Sequence, residues 1–261
     1  MSGEDIFCTY KDTDLDRYDD GIVYRRQRGY PLRLQYEQTI YTWGVGDYKD
    51  IMFVTYRIRN ESGKTYRNCW IAPVVDADIG HYYDTQYGHT NDYCSYLTSR
   101  PELNLGFQWS EAGSKSTYSE KGRGFGFLGM AMLETPAVDA SGNLKYDKRI
   151  YPVSEQLGMK SFRNWEIDDD KNSDDERYTF MSENKKVETN TKKADIRFLA
   201  STGPFNMQKN DSTNVVIVFI YANNGKTGDI TGKDTTERNE LIRKTEFAYT
   251  VYYNNYEAPQ P

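Results

Sequence analysis

Four aspartates, two glycines and both histidines of the chain fall in one run, Asp76-Ala-Asp78-Ile-Gly80-His81-Tyr-Tyr-Asp84-Thr-Gln-Tyr-Gly88-His89-Thr-Asn91-Asp92. Carboxylates two residues apart with a glycine just after them suit a loop whose oxygens converge on a hard cation, because glycine permits the sharp turn that points them inward. The spacing therefore nominates Asp76, Asp78, Asp84 and Asp92 as ligands for calcium. Two other readings stay open. Acidic residues and glycines also make plain solvated loops, and no glutamate completes an EF-hand pattern here. His81 and His89 could instead hold a transition metal, although such pairs usually stand closer in sequence.

Other chemistry finds less support. A serine or cysteine hydrolase needs a histidine base, and only His81 and His89 are available, with no Gly-x-Ser-x-Gly elbow. A glycosidase needs two suitably spaced carboxylates, so the 39 acidic residues leave sugar cleavage formally open. Trp43, Trp70, Trp109 and Trp165 are the candidate stacking platforms for a glycan. The glycines at 122, 124, 126 and 129 lack the Lys-Ser/Thr of a phosphate loop and read as close sheet packing. The balance favours a non-catalytic module.

Composition sets the frame that must position these residues. The chain has 261 residues with 23 tyrosines and 11 phenylalanines, and flat rings fit a pleated, half-buried surface. Its net charge of -6 argues against a nucleic-acid partner, since no basic stripe could release many counterions. No stretch approaches the ~18 apolar residues of a membrane helix, which argues against membrane insertion. The N-terminus lacks an export pattern, and the opening Asp5-Ile-Phe-Cys-Thr-Tyr10 reads as strand, as in a segment of a longer exported protein. Cys8, Cys69 and Cys94 permit one bridge, Cys69 to Cys94, but read better as three free buried thiols.

Strand signals recur along the chain. Pro31 to Trp43 reads as a long strand with Leu32, Leu34, Tyr36, Gln38 and Ile40 on one face. Ile51 to Arg59 and Tyr66 to Val75 read as a hairpin across Asn60-Glu-Ser-Gly-Lys64, with the acidic run at its end. Further strands are expected at Tyr93 to Leu97, Gly106 to Trp109, Gly124 to Leu133 and Ala194 to Ser201, with a turn at Gly203-Pro204. Thr213 to Ala222 is apolar almost without a break, which places it centrally with both faces buried. The acid-rich run Glu166 to Glu176 reads as a mobile loop with room for a second ion. From Asp234 to Tyr253 the period becomes helical: Leu241, Thr245, Ala248 and Tyr252 share a face, and Asp234 with Glu237 forms a possible capping box. The expectation is one mainly β domain over residues 1–261, an antiparallel β-sandwich-like fold with long loops and one C-terminal helix.

Several blocks in one order carry a resemblance: Asp5-Ile-Phe-Cys-Thr-Tyr-Lys-Asp-Thr-Asp14, Tyr56-Arg-Ile-Arg-Asn60, Ala72-Pro-Val-Val-Asp-Ala-Asp-Ile-Gly80, Ala194-Asp-Ile-Arg-Phe-Leu-Ala-Ser-Thr-Gly-Pro-Phe205 and Asn210-Asp-Ser212. Together they resemble a β-rich region of large exported bacterial proteins, which commonly end in a type IX secretion sorting signal or a similar immunoglobulin-like domain. The family has no established activity. In it the Asp-x-Asp-Ile-Gly loop is followed by further acidic residues, matched here by Asp84 and Asp92, whereas His81 and His89 lie outside the pattern. The resemblance implies an extracellular or cell-surface location. It also implies partners among other domains of the same protein or surface components, with a glycan as the alternative ligand.

Overall fold

A computed structural model describes residues 3–13, 31–80, 88–110, 125–145, 150–186, 192–223 and 235–257. Its eleven strands are β1 (Glu4–Lys11), β2 (Leu34–Thr42), β3 (Ile51–Asn60), β4 (Tyr66–Ile71), β5 (Val74–Asp76), β6 (Asp92–Tyr96), β7 (Leu105–Ser110), β8 (Phe127–Glu134), β9 (Ser161–Glu166), β10 (Ile196–Met207) and β11 (Ser212–Ala222). The helices are α1 (Asp174–Ser182) and α2 (Thr235–Tyr253). The fold is mainly β, with two antiparallel sheets and one C-terminal helix, as the alternating sequence runs imply. No helix among the described residues is long and apolar enough to cross a membrane.

β11 organises the whole. It lies between β3 and β8 in a seven-stranded sheet ordered β1-β2-β3-β11-β8-β7-β6. Side chains alternate across a strand, so Val216, Val218 and Ile220 join one core with α2 residues Leu241, Ala248, Val251 and Tyr252. Val215 and Ile217 face the other way and join a second core. There they meet Phe162 of β9 and Phe198 of β10. In the smaller sheet β4 and β5 pair in succession along one edge of β10, and β9 pairs along the other. α1 packs on its outer side. The helical face foreseen at Leu241, Thr245, Ala248 and Tyr252 is buried throughout. Asp234 lies outside the described residues, as does the side chain of Glu237, and with them the suggested capping box.

Four expectations about secondary structure change. The first concerns β3 and β4, which are not a hairpin: β3 has β2 and β11 on its edges, so none remains for β4, which pairs with β10 in the other sheet. The buried Asn60 directs this crossing, its Nδ2 donating to Lys64 O at 2.7 Å and to Gln208 O at 3.0 Å. Second, the run Tyr66 to Val75 is two strands, because Ala72-Pro73 interrupts it before β5. Third, Gly203-Pro204, whose peptide bond is cis, lies inside β10 rather than in a turn. A Cβ on Gly203 would stand 2.6 Å from the Trp70 ring, so this bulged crossing of β4 needs glycine.

The acidic run supplies the fourth change. Part of it is α1, whose first turn holds Asp174, Asp175 and Glu176, as the positive end of a helix favours. Ser173 Oγ accepts from the Glu176 amide at 3.2 Å, and the Glu176 carboxylate accepts from the Ser173 amide at 3.1 Å. This capping box lay within the run in the sequence but was hidden by its charge density.

Gly126 and Gly129 bear out the sheet-packing reading, since a Cβ would lie 2.5 Å from Ala222 O and 2.7 Å from Leu241 respectively. Gly122 and Gly124 fall outside the described residues. None of the three cysteines is in a disulfide; Cys94 is buried and Cys69 half-buried, while Cys8 is exposed, contrary to expectation.

Val216→Asp would put a carboxylate between sheet and helix at a position with no solvent exposure. Such a burial costs several kcal/mol, comparable with the ~5–15 kcal/mol that holds a domain together. The expected outcome is loss of the cooperative melt by circular dichroism, with the same change at the exposed Val45, Val45→Asp, melting close to the parent.

Candidate functional site

The strand pairing assembles an acidic cluster from two distant segments. In the antiparallel ladder of β5 with β10, Arg197 lies opposite Asp76. Continuing that register past the strand ends sets Asp195 against Asp78. One carboxylate oxygen from each of Asp76, Asp78 and Asp195 lies within 4.8 Å of the other two. Asp76 and Asp78 are exposed and Asp195 half-buried. Asp195 is held above the usual carboxylate range, first by burial and then by the Asp78 charge, while His89 and Arg197 pull it back.

Asp92 stands behind this cluster. Its backbone bridges Ala194, the residue before Asp195, with the Asp92 amide 3.1 Å from Ala194 O. Its Oδ2 accepts the amide of Ile79, the residue after Asp78, at 3.3 Å. The residue has no solvent exposure, and Oδ1 is buried with no hydrogen-bond partner among the described residues. Burial, reinforced by the charges of Asp78 and Asp195, pushes the carboxyl up to about 9, although the Ile79 amide and the Gln108 side chain oppose the shift. Gln108 is itself fully buried, donating to Ala77 O at 2.5 Å and Ile196 O at 3.2 Å, while its Oε1 has no donor among the described residues. A carboxyl in such surroundings requires neutralisation, by a proton or by a cation.

Of the four nominated ligands, Asp76 and Asp78 converge and Asp92 lies buried beside them. Asp84 and His81 fall outside the described residues. Asp195 was missed, because nothing in its local sequence distinguishes it; only the β5–β10 register brings it in. Arg197 modifies the cluster by binding Asp76 Oδ2 at 2.8 Å and by pairing with Asp170. Asp170 also accepts from Trp165 Nε1 at 2.6 Å, so its carboxylate is engaged by protein donors rather than offered to a second ion.

The tryptophans divide into two pairs. Trp43 and Trp109 are buried in the α2-side core and cannot serve as platforms. Trp70 lines a cavity of about 440 Å³ with Tyr36, Tyr66, Tyr178 and Phe205. Trp165 lines a smaller one of about 170 Å³ beside α1. No family model matches the chain, and no curated protein is similar to it in sequence.

The Asp92 shift fixes a sign for stability against pH. The native state retains a proton that the unfolded chain, at its ordinary value of 3.8, has released, so stability falls as pH rises from about 4 to about 9. Thermal melts in metal-free buffer at pH 5 and pH 8 are expected to show this loss, bounded by ~1.4 kcal/mol per pH unit. Asp92→Asn, which supplies a permanent donor, should flatten the dependence and melt above the parent at pH 8.

Proposed function

We propose that the chain is a non-catalytic structural or binding module of an exported or cell-surface bacterial protein, stiffened by calcium at the β5–β10 end of its smaller sheet. One observation carries the reading: three carboxylates converge beside a buried carboxyl oxygen that has no hydrogen-bond partner among the described residues. An all-oxygen set suits a hard cation, and carboxylates this close repel unless positive charge lies among them. Arg197 supplies such charge to Asp76 and leaves Asp78 and Asp195 as the principal ligands. Asp84 follows Asp78 by six positions in the sequence and is a further ligand in this proposal. The exported location rests on the resemblance of the Ala72 to Gly80 and Ala194 to Phe205 blocks. The partners it implies are neighbouring domains of the same protein or surface components.

A second reading, carbohydrate binding, is favoured by the cavity at Trp70. Tyr36, Tyr66 and Tyr178 surround it, and such rings present flat apolar faces to a sugar with hydroxyls at their rims. A glycan array separates the readings: retention by the parent and its loss in Trp70→Ala would move the function to this cavity.

Calcium binding to the folded state should raise stability by about 2.7 kcal/mol at a hundredfold excess over Kd. For a chain of this size that corresponds to roughly 5–10 °C in melting midpoint between chelator and millimolar calcium. The double change Asp78→Asn with Asp195→Asn, which spares the Arg197 pair, should abolish the rise. An unchanged midpoint and no heat on titration would make the cluster a solvated surface; a response to zinc alone would move the assignment to the histidines.

A further inference from the structure

The seven-stranded sheet is wider than the layers that cover it. β1 forms its edge, and all eight residues of β1 are exposed, including Ile6, Phe7 and Tyr10 at 52%, 64% and 44%. No described strand lies on its outer side. Long, regular, apolar edges invite pairing with another strand, and proteins usually blunt them with proline, bulges or brevity. β1 has none of these: it contains no proline and its register with β2 is unbroken from Glu4 to Lys11.

The ladder shows which groups of β1 face outward. Asp12 N donates to Leu34 O, so the even-numbered residues of β1 exchange hydrogen bonds with β2. The next ladder agrees, since Glu61 N donates to Arg33 O and thereby assigns the odd-numbered residues of β2 to β3. The amides and carbonyls of Asp5, Phe7, Thr9 and Lys11 therefore point away from the sheet. A second antiparallel β1 can bond only through these odd residues, which restricts the pairing to registers that set odd against odd. Three centred registers are near: on Phe7, on Cys8 or on Thr9.

We propose that β1 is a self-pairing edge that joins two copies of this chain in an antiparallel dimer with Cys8 on the two-fold axis. The choice of register follows from the side chains. With Cys8 opposite the partner's Cys8, Asp5 faces the partner's Lys11, Ile6 faces the partner's Tyr10, and Phe7 faces the partner's Thr9. Each contact occurs twice by symmetry. Opposite charges and aromatic–aliphatic pairs in these positions are the favourable cross-strand combinations, and Lys11, which already pairs with Glu61 of its own chain at 2.6 Å, would lie between the two carboxylates. Centring on Phe7 sets Asp5 against Thr9, and centring on Thr9 sets Phe7 against Lys11, so both forfeit the ion pairs. In the chosen register the two Cys8 residues form a non-hydrogen-bonded pair, whose Cα separation of ~4.5 Å falls within the range a disulfide spans. The thiols thus report the register directly.

Sedimentation or light scattering of the reduced protein across the micromolar range should give twice the chain mass at the high end. Thr9→Pro removes only an outward amide and keeps the β2 ladder, so it should give a monomer whose melt stays near the parent's. Asp5→Lys, a surface change, should weaken the dimer about tenfold. Diamide should then cross-link the parent: two Cys8 thiols lose two protons and two electrons to form one S–S bond, and the diazene becomes the hydrazine. Cys8→Ser should stay uncross-linked. A monomer at the highest soluble concentration overturns the proposal, as does a disulfide dimer that survives Cys8→Ser or an Asp5→Lys dimer as tight as the parent. Monomeric protein that gains mass only with a foreign strand peptide would assign the edge to a different partner.

Discussion

Burial of both faces of β11 is the constraint on which the rest of this structure depends. A strand apolar on both sides cannot lie at a surface, so the chain must supply a covering layer on each face of the sheet that contains it. On one side that layer is α2, whose buried stripe from Leu241 to Tyr252 meets Val216, Val218 and Ile220. On the other it is the small sheet, whose Phe162 and Phe198 meet Val215 and Ile217. The close approaches at Gly129 and Gly126 follow from the same demand, because α2 and the neighbouring strand can only seat where Cβ atoms are absent.

The small sheet in turn determines where acidic side chains meet. β10 is its spine, pairing with β4 and β5 on one edge and β9 on the other. By crossing β5 at Asp76 and bridging Asp92 through Ala194, its N-terminal end gathers carboxylates from three separate segments. Arg197 belongs to the same stretch and ties Asp76 to Asp170, so the cluster is joined to the acidic run that leads into α1. Carboxyl groups are concentrated where the two sheets come together, and Asp92 carries one into the interior.

Coverage has limits, and the limits locate the exposed apolar surface. One 19-residue helix and a four-stranded sheet do not span seven strands. Among the described residues the uncovered side is β1, whose residues are all exposed and whose outer edge has no strand beside it. On its even-numbered face, the stacking of Tyr10 on Tyr36, with ring centroids 5.0 Å apart, shows how far the local packing reaches before solvent begins.

The sequence by itself determined the class of fold, the central position of Thr213 to Ala222, the stripe of the last helix and the meeting of Asp76 with Asp78. Each of these is a local matter, legible because hydrophobic period and residue type act within a few positions of the chain. It could not show that the strands flanking Asn60 belong to different sheets, since both carry ordinary strand patterns and only competition for the edges of β3 separates them. Nor could it show Asp195 in the acidic cluster, or the buried Asp92 Oδ1 without a hydrogen-bond partner among the described residues. Those depend on the register between segments more than a hundred residues apart, which is decided when the two cores close and no local pattern encodes it.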